Sequence, residues 1–371
     1  MPSTSIRFGV ELELILGHRQ DKEPFAKWDD LAKDVSRRLS RAGISNHIHD
    51  KKNGPEKYKE WFIIREVTIK TDPASYLYGI ELVSPVFKAE GTVWGKDLQT
   101  IFDMLHSNYA VHTSETCSTH VHLSTAGNTL SAAATLCLAE AILYYEHAID
   151  ALMPDARVGD GSSGAGSYWC ASNRMSHMFS GGAVVANNVH DYIADMAAAQ
   201  HAQQPVPAAA PTPFNASASL DTCLDIVRAC YNSGLFSMDD AMNLFTAKSV
   251  IGMTRGKKAD FVHGKVFKWN FGNLYETSSS SSQKTIKSNG TVEFRQCPGS
   301  ESVDEAWVWI TLALAFFAGV LSSDGDLLGG TVTGASVAEL EVLLQRGGQV
   351  LGWGHLGALQ EVLQSVAGRG L

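Results

Sequence analysis

Four short segments, far apart in the chain, carry acidic, imidazole or guanidinium side chains where an extended backbone would turn them to one side. In Phe8-Gly9-Val10-Glu11-Leu12-Glu13-Leu14 an apolar run is interrupted by Glu11 and Glu13, two residues apart. Carboxylates paired on a strand whose other face is apolar need a cation or another partner; an edge strand with a solvated acidic face is the ordinary alternative. After a Thr71-Asp72-Pro73 turn, residues 76–85 read as a strand stopped by Pro85, with Glu81 among its apolar residues. By itself Glu81 is as well explained by a wet strand face. In Cys117-Ser118-Thr119-His120-Val121-His122-Leu123-Ser124 both imidazoles fall on one side. Such a pair coordinates divalent ions or, when protonated, donates to phosphate; two half-buried histidines satisfied by backbone are the plain alternative. In Thr291-Val292-Glu293-Phe294-Arg295 an acid and a guanidinium share a strand face. That is either a metal ligand beside a phosphate clamp or a surface ion pair of little energetic weight.

Taken together and in order, residues 8–13, 71–85, 119–123 and 291–295 resemble the amidoligase family. That family is similar to glutamine synthetase and glutamate–cysteine ligase, within the carboxylate–amine ligase superfamily, and the resemblance extends over residues 5–320. It implies an α+β fold: a mainly antiparallel, curved sheet of the glutamine synthetase type, with the site on its concave face and helices outside. It also implies an ATP-dependent reaction in which a substrate carboxylate becomes an acyl phosphate and an amine then displaces phosphate. Magnesium, with manganese as an alternative, suits a site built mostly of glutamates, and arginine helps to neutralise charge on the phosphoryl oxygens.

Carried over residue by residue, the resemblance gives Glu13 and Glu81 one metal, with Asp72 as a third oxygen ligand. Glu11, His120 and Glu293 hold the second metal, His122 faces the ATP phosphates, and Arg295 stabilises the transferring phosphoryl group. Glutamine synthetase has one more glutamate on its first metal, with no match in these segments. A basic residue and an asparagine before the last acidic strand make Lys268 and Asn270 candidates for ATP or substrate contact, with a plain surface strand as the alternative. The implied partners are a carboxylate and an amine, each a small molecule or a peptide.

The elements that must position these residues show in the hydrophobic spacing. Residues 28–42, 93–107 and 130–152 have apolar positions at helical period. The apolar run 306–321 is shorter than the roughly 20 residues of a comfortable bilayer span, so it reads as a buried helix behind the Glu293 strand, capped at Ser302. Strands come in separated groups, which favours α+β over regular βαβ alternation. We expect a catalytic domain over residues 1–321 and a helical extension over 322–371, whose two helices join near residues 347–354. Residues 155–167 form a Gly/Ser/Asp-rich loop without a nucleotide fingerprint; beyond it Arg174 is a carboxylate binder or a surface arginine. Residues 197–219, rich in Pro and Ala, read as a disordered insertion, and residues 255–258 as a solvated basic loop.

The net charge of -9 argues against nucleic-acid binding. Six cysteines without a C-x-x-C pair, and an N-terminus without a signal-peptide pattern, point to free thiols and a cytoplasmic protein that needs no membrane. Near the histidines, Cys117 reads as a small buried filler in preference to a nucleophile. Two other classes fit parts of the pattern. A metal-dependent hydrolase would use the His/Glu cluster on zinc to activate water, and a non-catalytic binding protein would keep the fold alone.

Overall fold

The computed structural model describes residues 5–19, 23–49, 58–69, 71–90, 93–126, 130–159, 169–180, 219–243, 265–277, 284–287, 290–323, 328–329 and 333–367. The expected insertion at 197–218, the basic loop at 255–258 and most of the glycine-rich loop lie outside them.

Everything is organised on β1 (Ile6–His18), whose strict alternation separates two chemistries. Ile6, Phe8, Val10, Leu12, Leu14 and Leu16 are all buried in the main core, while Gly9, Glu11, Glu13 and Ile15 face the other way. The remaining strands of the main sheet are β2 (Asn46–Ile48), β3 (Trp61–Ile64), β4 (Tyr78–Val83), β5 (Phe87–Lys88), β6 (Tyr109–His112), β7 (Thr119–Thr125), β8 (Trp269–Asn270) and, late in the chain, β11 (Val292–Phe294). Their order is β2-β3-β4-β1-β7-β11-β8, with β5 and β6 also paired to β1. All pairings are antiparallel except β2 with β3. The short β9 (Tyr275–Thr277) and β10 (Lys284–Ile286) form a separate ribbon.

Helices cover the apolar face. The first three are α1 (Trp28–Arg41), α2 (Val93–Asn108) and α3 (Ala132–Asp150), within two residues of the spacing-based bounds. The Trp28 indole of α1 donates to Gly79 O of β4 at 3.0 Å, fixing helix to sheet. Then come α4 (His177–Ser180), α5 (Leu220–Ser233) and α6 (Met238–Asn243). The apolar run is α7 (Val303–Leu321), and Ser302 caps it as expected by accepting from Glu305 N. By length and composition α7 could cross a membrane, but 78 % of its most apolar window is buried inside the fold.

The C-terminal pair is α8 (Val337–Val350) and α9 (Ala358–Ala367). Gly347 is therefore helix interior, not the joint expected there. A Cβ on it would stand 1.8 Å from Ala315 O, so its lack of a side chain is what lets α8 lie against α7. All six cysteines are free thiols; Cys117 is buried with Ile15, Ile69 and Leu77 in a small apolar cluster, as the filler reading expected.

Candidate metal and phosphate site

The register brings the four segments onto one sheet face. Glu13 pairs with Glu81 across β1 and β4, and Glu11 with His120 across β1 and β7. Glu293 of β11 pairs with His122 on one side and Asn270 on the other. Because the partner of each polar residue lies on a neighbouring strand, the alternation of β1 is reproduced on all of them.

The side chains converge. His120 Nδ1 donates to Glu11 Oε2 at 3.1 Å and lies 3.9 Å from Glu13 Oε1 and 3.7 Å from Glu293 Oε1. His122 Nε2 donates to Glu11 Oε1 at 3.0 Å and lies 3.8 Å from Glu293 Oε1, while its Nδ1 is 3.3 Å from Thr291 Oγ1. The Arg295 guanidinium donates to Glu293 Oε1 and, through Nε, to Lys265 O at 3.0 Å. Asn270 and Asn273 donate to the other Glu293 oxygen at 2.9 and 3.2 Å. Asn270 thus supports a site carboxylate.

Three groups of side chains stand close enough to share one ion: Glu11 with Glu81 and His120; Glu11 with His122 and Glu293; and Glu13 with Glu66 and Glu81. Within each, the ligand atoms lie within 4.8 Å of one another. The division differs from the expected one: His122 joins a ligand group, Glu11 and Glu81 are each shared by two groups, His120 groups with Glu81 and not with Glu293, and Glu66 stands beside Glu13 and Glu81 where Asp72 was expected. The Asp72 carboxylate stands outside these groups and accepts from Ala74 N at 2.9 Å, capping the turn Pro73–Ser75.

Glu66 was missed because β3 is short and its polar continuation hides the alternation. Ile64 pairs with Glu81, so counting on by two reaches Glu66. Its Oε1 accepts from Thr68 N and Oγ1 at 2.7 and 2.6 Å. Gly79 of β4 gives the loop room: a Cβ there would meet Glu66 O at 2.8 Å.

The electrostatics follow from acids outnumbering bases in a buried place. Burial lifts the Glu81 carboxyl, and neighbouring Glu11 and Glu13 lift it further, well above the carboxylate range. Burial also raises Glu13, against the pull of His120 and Arg295. Burial works against the charged form of Glu11 too, but His122 and hydrogen bonds with both imidazoles hold it well below the usual range. Glu293 is drawn down to about 2, burial being outweighed by Arg295 and His122. The His122 imidazolium is held up to about 9, because Glu11 and Glu293 outweigh its burial. Proton sharing among crowded carboxylates is what a site short of positive charge does. Glutamate oxygens with one or two imidazoles suit a hard divalent cation, so the donor set fits magnesium or manganese.

Lys268, a candidate for ATP or substrate contact, lies in a buried ion-pair cluster. It is 2 % exposed, and its Nζ donates to Glu146 Oε1 at 2.9 Å and Asp150 Oδ1 at 2.6 Å, both on α3. Arg174 is likewise no surface residue: it is buried, donating through Nη2 to Leu143 O at 2.7 Å. A further residue that the sequence did not single out is Arg157, 1 % exposed. Its guanidinium donates to Arg295 O at 2.6 Å, Gln296 O at 2.9 Å and Ser118 Oγ at 2.7 Å. Ser118 O in turn accepts from Glu13 N at 3.0 Å. One buried guanidinium therefore braces the strand ends that carry Glu13, His120 and Arg295.

Residues 4–162 fit the model of a family described as "Putative amidoligase enzyme". No curated protein matches the chain.

Proposed function

We propose that this chain, whose residues 4–162 fit the model of that family, is an ATP- and Mg²⁺-dependent carboxylate–amine ligase with a glutamine synthetase-like sheet. The observation that carries this reading is the convergence of Glu11, Glu13, Glu66, Glu81 and Glu293 with two imidazoles and Arg295 on one sheet face. Acids crowded to the point of sharing protons suit divalent cations, and a guanidinium at their edge suits phosphate.

The reaction has two displacements. A substrate carboxylate oxygen bonds to the γ-phosphorus of ATP as the bond to the ADP oxygen breaks. The amine nitrogen then bonds to the acyl carbon of the acyl phosphate, phosphate leaves, and the nitrogen gives up a proton.

In this chain Glu13, Glu66 and Glu81 would hold one magnesium, and Glu11, Glu293 and the two histidines a second. The bound cations would neutralise charge on the phosphoryl oxygens. Arg295, held by Glu293 and Lys265 O, would stabilise the transferring phosphoryl group. Asn270 and Asn273 keep Glu293 turned into the site. Arg157 fixes the Arg295 backbone from behind.

ADP release over a panel of amino-acid and peptide carboxylates and amines tests the proposal. Activity should need Mg²⁺ and should be lost in Glu13→Ala and Arg295→Ala. Activity that survives both substitutions overturns it. A metal-dependent hydrolase is favoured by one observation, the His122–Glu11–Glu293 group with its imidazole. It predicts tight zinc and turnover without ATP.

A further inference from the structure

Among the described residues, two other than glycine have a positive φ: Tyr58 at 56° and Tyr76 at 54°. A Cβ disfavours this left-handed conformation, and where it persists the surroundings impose it. Tyr76 closes the turn Pro73–Ser75. Tyr58 closes no helix; it lies just before β3, pinned by Val86 N donating to its carbonyl at 3.0 Å. Its ring leans on Phe62, with centroids 5.7 Å apart and planes at 52°. So anchored, Tyr58 is still 51 % exposed.

What the ring overlooks follows from the register. Phe62 pairs with Val83, Val83 with Glu11, and Glu11 with His120, so these four residues form one row across adjacent strands of the site face. Carboxylates of that face act on Tyr58: beyond its burial, Glu11, Glu293 and Glu81 raise its phenol. On its other flank Phe62 meets the His47 ring, 4.4 Å away. His47 Nδ1 is bonded to Glu60 Oε1 at 2.7 Å, and the second Glu60 oxygen accepts from Ser45 Oγ at 2.7 Å.

We propose that Tyr58, Phe62 and His47, with the Glu60 carboxylate behind them, form the subsite that receives the amine acceptor as an alkylammonium ion. The place of this subsite in amide synthesis rests on the ligase reading; the binding itself does not. An exposed aromatic face attracts a cation through its quadrupole. The Glu60 carboxylate behind the His47 ring adds to that attraction. Of the substrates of amide synthesis, the amine is the one that is cationic in neutral water. An adenine ring could stack on the same tyrosine, and the experiment separates the two.

Butylammonium and, separately, adenosine are titrated calorimetrically into the Mg²⁺-supplemented full chain and its Tyr58→Phe, Tyr58→Ala and Tyr58→Gly variants. Tyr58→Phe should bind butylammonium within twofold of wild type, because the ring face remains. Tyr58→Ala and Tyr58→Gly should each weaken it about threefold to fivefold, with adenosine unchanged. Glycine also relieves the positive φ, so its variant separates loss of the ring from backbone strain. Butylammonium binding that ignores Tyr58, or a loss confined to adenosine, overturns the proposal. Should wild type bind butylammonium through Tyr58 but not Mg²⁺·ADP, the subsite stands and the ligase reading falls. The reverse pattern removes the subsite alone.

Discussion

Among the described residues, two clusters of charged side chains are buried, one on the sheet face and one beneath α3, and they differ in how charge is matched. Beneath α3, Glu146 and Asp150 close on Lys268, with Arg174 Nε 3.8 Å from Glu146. Acids and bases there balance, two against two. On the sheet face, five carboxylates meet one guanidinium and two imidazoles. Burial is common to both; only the second has a surplus of acid, and the proposed cation site rests on that surplus. The balanced cluster is scaffold, and Arg157 and Gln296 connect it to the site: Gln296 donates to Asp150 Oδ1 at 2.6 Å and to Arg157 O at 3.1 Å.

The largest effect should come from breaking the balanced cluster. Lys268→Met leaves Asp150 without its lysine and Glu146 with Arg174 alone, and losing one partner of a buried pair costs about 3–5 kcal/mol. Urea unfolding at neutral pH reads the loss directly. A stable Lys268→Met variant that had instead lost Mg²⁺·ADP binding would erase the distinction and return Lys268 to the nucleotide.

Neutralising an acid on the sheet face should do the opposite. Burial, and after it Glu11 and Glu13, raise the Glu81 carboxyl well above its ordinary range in the folded chain, so its charged form weighs against folding. Glu81→Gln removes that cost, and without divalent ions its urea midpoint should lie at or above wild type. The same variant should lose the stabilisation that Mg²⁺ confers. A marked drop in midpoint without Mg²⁺ would mean that the acids are structural.

A smaller effect is expected in pH. The folded-state pKa of His122 is raised from 6.5 to about 9. Its contribution to cation-free stability is therefore fully present below 6.5 and fades as pH rises through about 9. Glu293, lowered from 4.5 to about 2, contributes above 4.5 and loses that contribution as pH falls through about 2. His122→Gln should flatten the alkaline limb of the stability profile and leave the acid limb in place. An alkaline limb of unchanged steepness would assign it elsewhere.

Much of the sheet face could be read from the chain because period two survives in the sequence. Glu11 and Glu13, His120 and His122, and Glu293 and Arg295 each stand two apart, so one residue of each pair placed the other. Glu66 escaped because it follows a four-residue strand and lies among exposed residues. Asp72 was drawn in by closeness in sequence to Glu81, yet a carboxylate just before a proline turn caps that turn. The ion pairs of Lys268 were illegible for a different reason: its partners lie 122 and 118 residues away, on a helix read only from its apolar spacing. Arg157 gave no signal, since two backbone carbonyls and a serine hydroxyl are what it holds. The long helices were legible from apolar spacing, whereas the close approach of α7 and α8 at Gly347 depends on tertiary contact alone.

The central claim is that the acid surplus on the sheet face exists to hold divalent cations against nucleotide phosphate. Thermal unfolding of the full chain with Mg²⁺, with ADP and with both tests it most directly. A ligand at about 100 times its Kd stabilises the folded state by roughly 2.7 kcal/mol, so Mg²⁺ with ADP should raise Tm in wild type and leave Glu13→Ala unmoved. A wild-type Tm indifferent to Mg²⁺ and ADP, alone or together, would contradict the claim.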